Sequence, residues 1–336
     1  MAEKQKKWYD KELKSRDGDV ILLYGNDSKL EHQHAYEDED YLWFGENKSV
    51  IFKDESWKNS PESDIFVSYL AKALSLPVLD VRPAIAIANN NNNSDVKGII
   101  VENFQEKNGY VFSAADINVS DSFNTIDNII KNLEHYKKEL YESGYSEVVI
   151  DSNIETNLLK LFLLDYVTCE IDRNETNILF RLIEDEQGKA TIQFGKIFDN
   201  SQAFFFTAHF AHKLKNLLNN ETDFYQMVDQ NYAPRLFFTP EENALLEFTC
   251  SLTPKIIEKV LQKPKLTEFL NKLINTNFDQ VAVLIQKDNP EYKIPENKFN
   301  MAKKIFNHRV ELLQKEFQKQ QSQNKFKKND ETTMCY

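Results

Sequence analysis

Residues 162–180 read FLLDYVTCEIDRNETNILF, an apolar stretch that breaks into six consecutive polar residues and then turns apolar again. Ahead of the break, Ile154, Leu158, Leu159, Phe162 and Tyr166 recur at the spacing of a helix with a buried face. Behind it, NILFRLIE has the length and the branched and aromatic content of a strand. Asp172, Arg173, Asn174, Glu175, Thr176 and Asn177 are therefore held between two packed segments. Polar groups so placed need partners or a cleft, since burying one unpaired costs about 1–3 kcal/mol.

The segment that follows, NILFRLIEDEQGKATIQFGKIFD, reads as strand, turn at Glu186-Gln187-Gly188, strand. Such a hairpin brings Asn177 and Asp199 to one end. Transfer of a phosphoryl group from ATP needs a carboxylate to orient and deprotonate the incoming hydroxyl, plus an amide oxygen and a second carboxylate to hold Mg²⁺. Asp172, Asn177 and Asp199 supply that set. Taken singly, Asp172 and Asn177 suit a turn and a helix cap, Lys53 a solvated strand end, and Glu62 and Asp64 the acidic first turn of a helix. The combination of Lys53 behind a sheet with the three groups downstream favours a nucleotide site.

Elsewhere, DVILLYG, DYLWFG and SVIFK between residues 19 and 53 predict a small antiparallel sheet. In SPESDIFVSYLAKALSL, Ser60 can cap, Pro61 suits the first helical position, and Ile65, Phe66, Tyr69, Leu70, Ala73 and Leu74 keep helical spacing. VRPAIAIA and VKGIIVENF predict two further strands joined by the polar loop NNNNNSD. From about residue 105 the pattern is mostly helical, with Ile126, Ile129, Ile130, Leu133 and Leu140 on one helix. Further helices are expected after the capping box of Thr239, Pro240 and Glu242, and at Thr253-Pro254. The layout predicted is α+β and two-lobed: an extension over 1–18, a sheet with one helix over 19–104, a larger helical unit over 105–318, and a frayed tail over 319–336.

The chain of 336 residues is 41% hydrophobic with 24 Phe, enough to pack a sizeable core. Its net charge of −12 disfavours a nucleic-acid partner. Cys169, Cys250 and Cys335 are too few and too scattered for a disulfide framework or a zinc site, which points to a reducing compartment. No apolar run has the length of a membrane span or the form of a signal peptide, so a cytoplasmic protein is expected, with export lacking a classical signal left open. His209 and His212 lack a convincing further ligand, so packing or substrate contact is expected of them, and Cys169 lacks a basic cluster, so a buried structural thiol is expected there. Arg173 either steadies the loop or pairs with a surface acid.

In order and spacing these motifs resemble the HipA-like serine/threonine kinases, a bacterial branch of the protein-kinase fold. LLDYVTCEIDRNETNILF is similar to that family's catalytic stretch, and KIFDNSQAFFF to its metal-binding stretch, over a resemblance spanning roughly residues 20–315. The resemblance implies a protein-kinase-like fold using ATP with Mg²⁺ or Mn²⁺. It implies Asp172 as the catalytic carboxylate, Asn177 and Asp199 as metal ligands, Lys53 as the phosphate anchor and Asp64 as its acidic partner. GNDSKL, with Gly25 and Lys29, resembles the phosphate-side loop, and VENF, with Glu102 and Phe104, the segment that links the lobes and meets adenine. Asn174 stands where the family has His, and Leu22-Leu23-Tyr24-Gly25 lacks the serine that some relatives autophosphorylate. The compact members, without an amino-terminal extension, are the nearer likeness. The implied activity is transfer of the γ-phosphoryl group to Ser or Thr of a protein, in a toxin partnered by an antitoxin or an effector meeting a host protein. A catalytically silent nucleotide-binding module and a small-molecule kinase are the alternatives.

Overall fold

The structure, a computed structural model, describes residues 12–13, 19–24, 28–34, 36–38, 41–44, 50–54, 60–87, 96–102, 109–117, 126–206, 216, 218–231, 257–258, 260–290 and 292–333. The first half builds one antiparallel sheet from β1 (Glu12–Leu13), β2 (Asp19–Tyr24), β3 (Ser28–His34), β4 (Tyr36–Asp38), β5 (Tyr41–Phe44), β6 (Val50–Asp54), β7 (Val81–Ile87) and β8 (Val96–Glu102). Its order is β1-β2-β7-β8-β6-β5-β4, with β3 also on β2. The expected extension thus contributes a strand, β1, and the segment likened to a phosphate-side loop enters β3 at Ser28.

Between β6 and β7 the chain forms α1 (Pro61–Ala73), which packs on β7 and β8. Pro61 takes the first helical position, where its missing N–H costs nothing. The Ser60 hydroxyl makes no cap bond, contrary to expectation: it donates to Glu62 Oε2 at 3.1 Å, while the Ser60 carbonyl accepts from the Ser63 and Asp64 amides. At the other end Ser75 adopts φ 60°, and the Leu76 and Ser75 amides return to the carbonyls of Ala71 and Lys72, closing the helix with a left-handed residue. Phe66 projects from α1 into a cluster with Phe204, Phe206, Phe278 and Phe299, at ring-centroid distances of 5.7–6.5 Å. This cluster fastens the helix to the second half of the chain.

That half carries a sheet of its own: β9 (Gly109–Ser113), β10 (Glu147–Ile150), β11 (Leu179–Glu184) and β12 (Lys189–Phe194), in the order β10-β12-β11-β9. β10 runs parallel to β12, and the other pairs are antiparallel. The sequence pattern yields only the β11/β12 hairpin, because β9 and β10 are short and pair with strands distant along the chain. Around this sheet lie α2 (Ile126–Glu142), α3 (Ile154–Thr168), α4 (Glu221–Asn231), α5 (Pro264–Ile274), α6 (Asp279–Asp288) and α7 (Glu296–Thr333). α3 is buried almost all round, against α2, α5, α7 and β12. α7 continues to Thr333 where a frayed tail is expected, its later turns carrying Lys319 and Gln320 bonded to Glu316 and Ser322 bonded to the Gln318 carbonyl. Lys, Gln and Glu are good helix formers, and side-chain pairs three or four positions apart support the helix locally. Thr239, Pro240, Glu242, Thr253, Pro254, His209 and His212 lie outside the described residues. Among the described residues no helix is long and apolar enough to cross a membrane.

Candidate active site

β6 alternates its side chains across the sheet, so that Phe52 is buried while its neighbour Lys53 lines a cavity of about 290 Å³. The close fit here depends on Gly98 of β8, where a Cβ would stand 2.2 Å from the Lys53 carbonyl oxygen and 2.6 Å from the Phe52 ring. Lys53 Nζ lies 2.6 Å from Asp199 Oδ1 and 3.2 Å from Asp64 Oδ2. Asp64 Oδ1 in turn accepts the Asn200 amide at 2.6 Å. Glu62, the other acid of the first turn, faces away and pairs with Lys298 at 2.7 Å. Burial pushes the Asp64 carboxyl above its usual range, and the neighbouring Asp199 adds to this against the pull of Lys53. For Asp199 burial also acts upward, but Lys53, Arg173 and the Ser201 hydroxyl outweigh it and hold the carboxyl low.

The polar interruption starts where α3 stops. Cys169 takes the left-handed conformation (φ 52°, ψ 44°), which ends the helix and turns the chain out. A short 3₁₀ turn at Glu175–Asn177 follows, capped by Asn174, whose Oδ1 accepts the Thr176 amide at 2.9 Å. Asn177 Nδ2 donates to the Asp172 carbonyl at 3.2 Å. A carbonyl can only accept, so this bond orients the amide and turns Oδ1 the other way. β11 and β12 then carry the chain out and back, and Ile197 docks beside Val78 through backbone bonds to Pro77 and Leu79. Asn177 and Asp199 thereby line the same cavity as Lys53 and Asp64. Its apolar wall is Leu79, Val81, Val101, Val111, Phe112, Leu179 and Phe198, with Ser113, Asp116 and Thr176 also on its lining. Asp172 is joined to the cavity through Asn177; its amide donates to Glu170 Oε1 at 2.7 Å, and its Oδ2 accepts from Gln202 Nε2 at 2.7 Å.

Beneath this layer Arg173 is the hub. Its guanidinium forks onto Asp165 at 3.0 and 3.1 Å, donates to the carbonyls of Phe198, Asn177 and Asp199 at 2.7, 3.3 and 3.4 Å, and reaches Asn200 Oδ1 at 2.5 Å. Both members of the pair are buried, which decides between the two readings of Arg173: it braces the loop. Burial raises the Asp165 carboxyl against the pull of Arg173, but a guanidinium keeps its charge and needs an anion, so the fork is an ion pair. Glu170, also buried, has its carboxyl pushed up to about 8 by burial, with Arg173 opposing and Asp165 and Asp199 reinforcing.

Gly25 and Phe104 lie outside the described residues. Lys29 sits on β3, and Glu102 ends β8 opposite Val50, one residue beyond the cavity-lining Val101. Sequence reasoning passed over Asp165, Glu170, Asn200 and Gln202. A signal existed for Asp165, the one charged residue in the apolar run 161–167, but none marks the other three.

An eight-stranded antiparallel sheet with one packed helix, a unit with its own four-stranded sheet and many helices, and a cavity lined from both that joins charged groups to an apolar wall make a kinase-like α+β fold. No protein-family model matches the chain, and no curated protein matches it in sequence. Among solved structures it is similar to the proinflammatory kinase CtkA of Helicobacter pylori, with TM-score 0.52 and 10% identity over 84% of this chain and 94% of that one. HipA of Shewanella oneidensis, in a toxin–antitoxin complex with HipB and operator DNA, aligns with TM-score 0.48 and 12% identity over 93% of this chain and 67% of that one. At such identities the likeness is one of fold. With CtkA the chain shares a kinase-like fold, the fold that the resemblance carried by its motifs implies.

Proposed function

We propose that the protein transfers the γ-phosphoryl group of ATP to a Ser or Thr hydroxyl of a protein. The observation that carries this reading is the convergence of Lys53, Asn177 and Asp199, 124 and 146 positions apart from Lys53 along the chain (177 − 53 and 199 − 53), on one cavity, with Asp172 bonded to Asn177. In this reading Lys53 binds the α- and β-phosphates, and the apolar wall takes the base.

The donor chemistry fits Mg²⁺ or Mn²⁺. Asn177 and Asp199 bring hard oxygens to one cavity: the Asn177 amide has its nitrogen on the Asp172 carbonyl and presents Oδ1, which the Thr176 hydroxyl approaches at 3.3 Å and whose second lone pair suits a cation. Among the described residues no cluster of three or more His, Cys, Asp or Glu could hold a metal by itself. A site of one carboxylate and one amide is the kind that binds metal together with the substrate's phosphates. When bound, the cation would neutralise charge on the triphosphate.

Asp172 orients the acceptor hydroxyl and receives its proton as the acceptor oxygen bonds to the γ-phosphorus; the bond from that phosphorus to the bridging oxygen breaks, leaving ADP. Lys53 offsets negative charge on the remaining phosphates, and Asp64 holds Lys53 in place. Positioning and electrostatics supply most of the rate in such a reaction.

Incubation with γ-labelled ATP, Mg²⁺ or Mn²⁺ and generic protein acceptors tests the reading. Asp172→Asn should abolish labelling while nucleotide binding persists; labelling at the wild-type rate by that variant would remove Asp172 from the role. Binding without any labelling by the wild type would instead support a silent nucleotide-binding module, and labelling of small hydroxylated compounds alone would support a small-molecule kinase. Toxin or effector roles, an antitoxin or host partner, and a cytoplasmic site of action belong to this proposal.

A further inference from the structure

Two consecutive residues, Ser201 and Gln202, reach the two carboxylates of the site. Ser201 Oγ donates to Asp199 Oδ1 at 3.2 Å, and Gln202 Nε2 donates to Asp172 Oδ2 at 2.7 Å. We propose that Gln202 is a positioning residue for the catalytic carboxylate, locking Asp172 into the frame of the segment that carries Asp199. The proposal rests on the phosphotransferase reading above.

The main chain of Asp172 is already fixed: its amide donates to Glu170, and its carbonyl accepts from Asn174 and Asn177. What the backbone leaves open is the direction of the carboxylate, and Gln202 acts on that. A carboxylate oxygen accepts, so the Gln202 amide must present its nitrogen, and this contact sets the direction in which Oδ2 lies.

Gln202 itself stands on a rigid mount. The Ser60 amide donates to the Ser201 carbonyl at 3.1 Å, and the buried Ser63 hydroxyl donates to the Ala203 carbonyl at 2.8 Å, so α1 braces both neighbours. Asp199, Phe204 and Phe205 flank it with φ of 52°, 58° and 54°. Non-glycine residues keep that conformation only where their surroundings enforce it, and such positions concentrate at functional sites. Here the enforcement comes from Phe204 and Phe206 packed edge-on against Phe66. A side chain on this mount can hold a torsion that a mobile loop could not. Asp172 and Asp199, 27 positions apart (199 − 172), are thereby set in one geometry.

The experiment compares wild type, Asp172→Asn, Gln202→Ala and Gln202→Glu for phosphoryl transfer from labelled ATP across pH, for ATP binding by equilibrium titration, and for thermal unfolding. Gln202→Ala is expected to lower kcat about ten- to a hundredfold, the value of a hydrogen bond to a charged group, with ATP affinity held. Gln202→Glu is nearly isosteric and sets a second carboxylate against the first. At alkaline pH both carboxylates are ionised and repel, so its kcat there should fall at least as far as that of Gln202→Ala, with ATP affinity held. Wild-type kcat in Gln202→Ala overturns the proposal. So does a loss in Gln202→Ala that appears equally in ATP affinity, combined with a wild-type kcat in Gln202→Glu at alkaline pH, because Gln202 would then only brace the Asp199 segment. If Gln202→Ala does not fold, the split between kcat and ATP affinity in Gln202→Glu decides. An inactive wild type removes the phosphotransferase reading and this proposal together, whereas an active wild type, an inactive Asp172→Asn and an unaffected Gln202→Ala remove this proposal alone.

Discussion

Arg173→Met isolates the contribution of the buried hub. The substitution keeps an unbranched chain of similar reach but deletes the cation, leaving Asp165, 5% exposed, with a buried charge and no fork to answer it. Breaking one side of such a pair costs about 3–5 kcal/mol. Removing Asp165 as well, in Asp165→Leu/Arg173→Met, takes away that uncompensated charge, and apolar replacement of a whole buried pair is close to neutral. The carbonyls of Phe198 and Asp199 would still lose the Arg173 donor. At about 1–3 kcal/mol for a buried group left unsatisfied, the double variant should stay below wild type by about that amount. Urea unfolding of the four proteins, read as midpoint and slope, gives the cycle. A coupling of about 2 kcal/mol or more between the two sites is expected, together with weakened ATP binding in the double variant, since its recovered stability does not restore the anchor of Asp199. A single Arg173→Met variant within 1 kcal/mol of wild type, or strictly additive effects, would refute the reasoning.

Two further outcomes are expected. Gly98→Ala should lower the free energy of unfolding by about 1–3 kcal/mol, the cost of overpacking, and weaken ATP binding in parallel, because its new methyl can be housed only by displacing the Lys53 backbone and the Phe52 ring; a variant matching wild type in both measurements would show that β6 and β8 are not in close contact there. Glu170 has a carboxyl at about 8 in the folded protein against an ordinary 4.5, so its contribution to stability is full below the lower value and is lost as pH rises through the upper one. Relative to Glu170→Gln, which keeps an acceptor for the Asp172 amide, wild type should therefore lose stability between about pH 5 and 8 at a rate on the order of 1 kcal/mol per pH unit; a difference that stays flat over that window in denaturation curves would mean that Glu170 ionises normally.

Much of the site could be read before any fold was known, for a local reason. The β11/β12 hairpin is specified by two apolar runs around a polar turn containing Gly188, and a hairpin returns the chain to its start, so Asn177 and Asp199 share an end whatever surrounds them. Lys53 was legible through its place on a predicted strand together with the resemblance, and α1 through its helical spacing. The acidic partner of Lys53 was harder. Glu62 and Asp64 are separated by about 200° around a helix of 3.6 residues per turn, so they face different neighbours. Which of them meets Lys53 depends on the rotation at which α1 docks, and that is decided by Phe66 entering an aromatic cluster built from residues as distant as Phe278 and Phe299.

By itself, then, the sequence determined the periodic elements, the order of Lys53, Asp172, Asn177 and Asp199 along the chain, and the kinase-like class that this order signals. Only the tertiary structure decided who answers the polar groups that the motifs leave open: Asp165 for Arg173 and Gln202 for Asp172. The physical reason lies in the range of the forces. Helix and strand patterns arise between residues a few positions apart, whereas the partner of a desolvated charge is whatever group packing brings within about 3 Å, from anywhere in the chain.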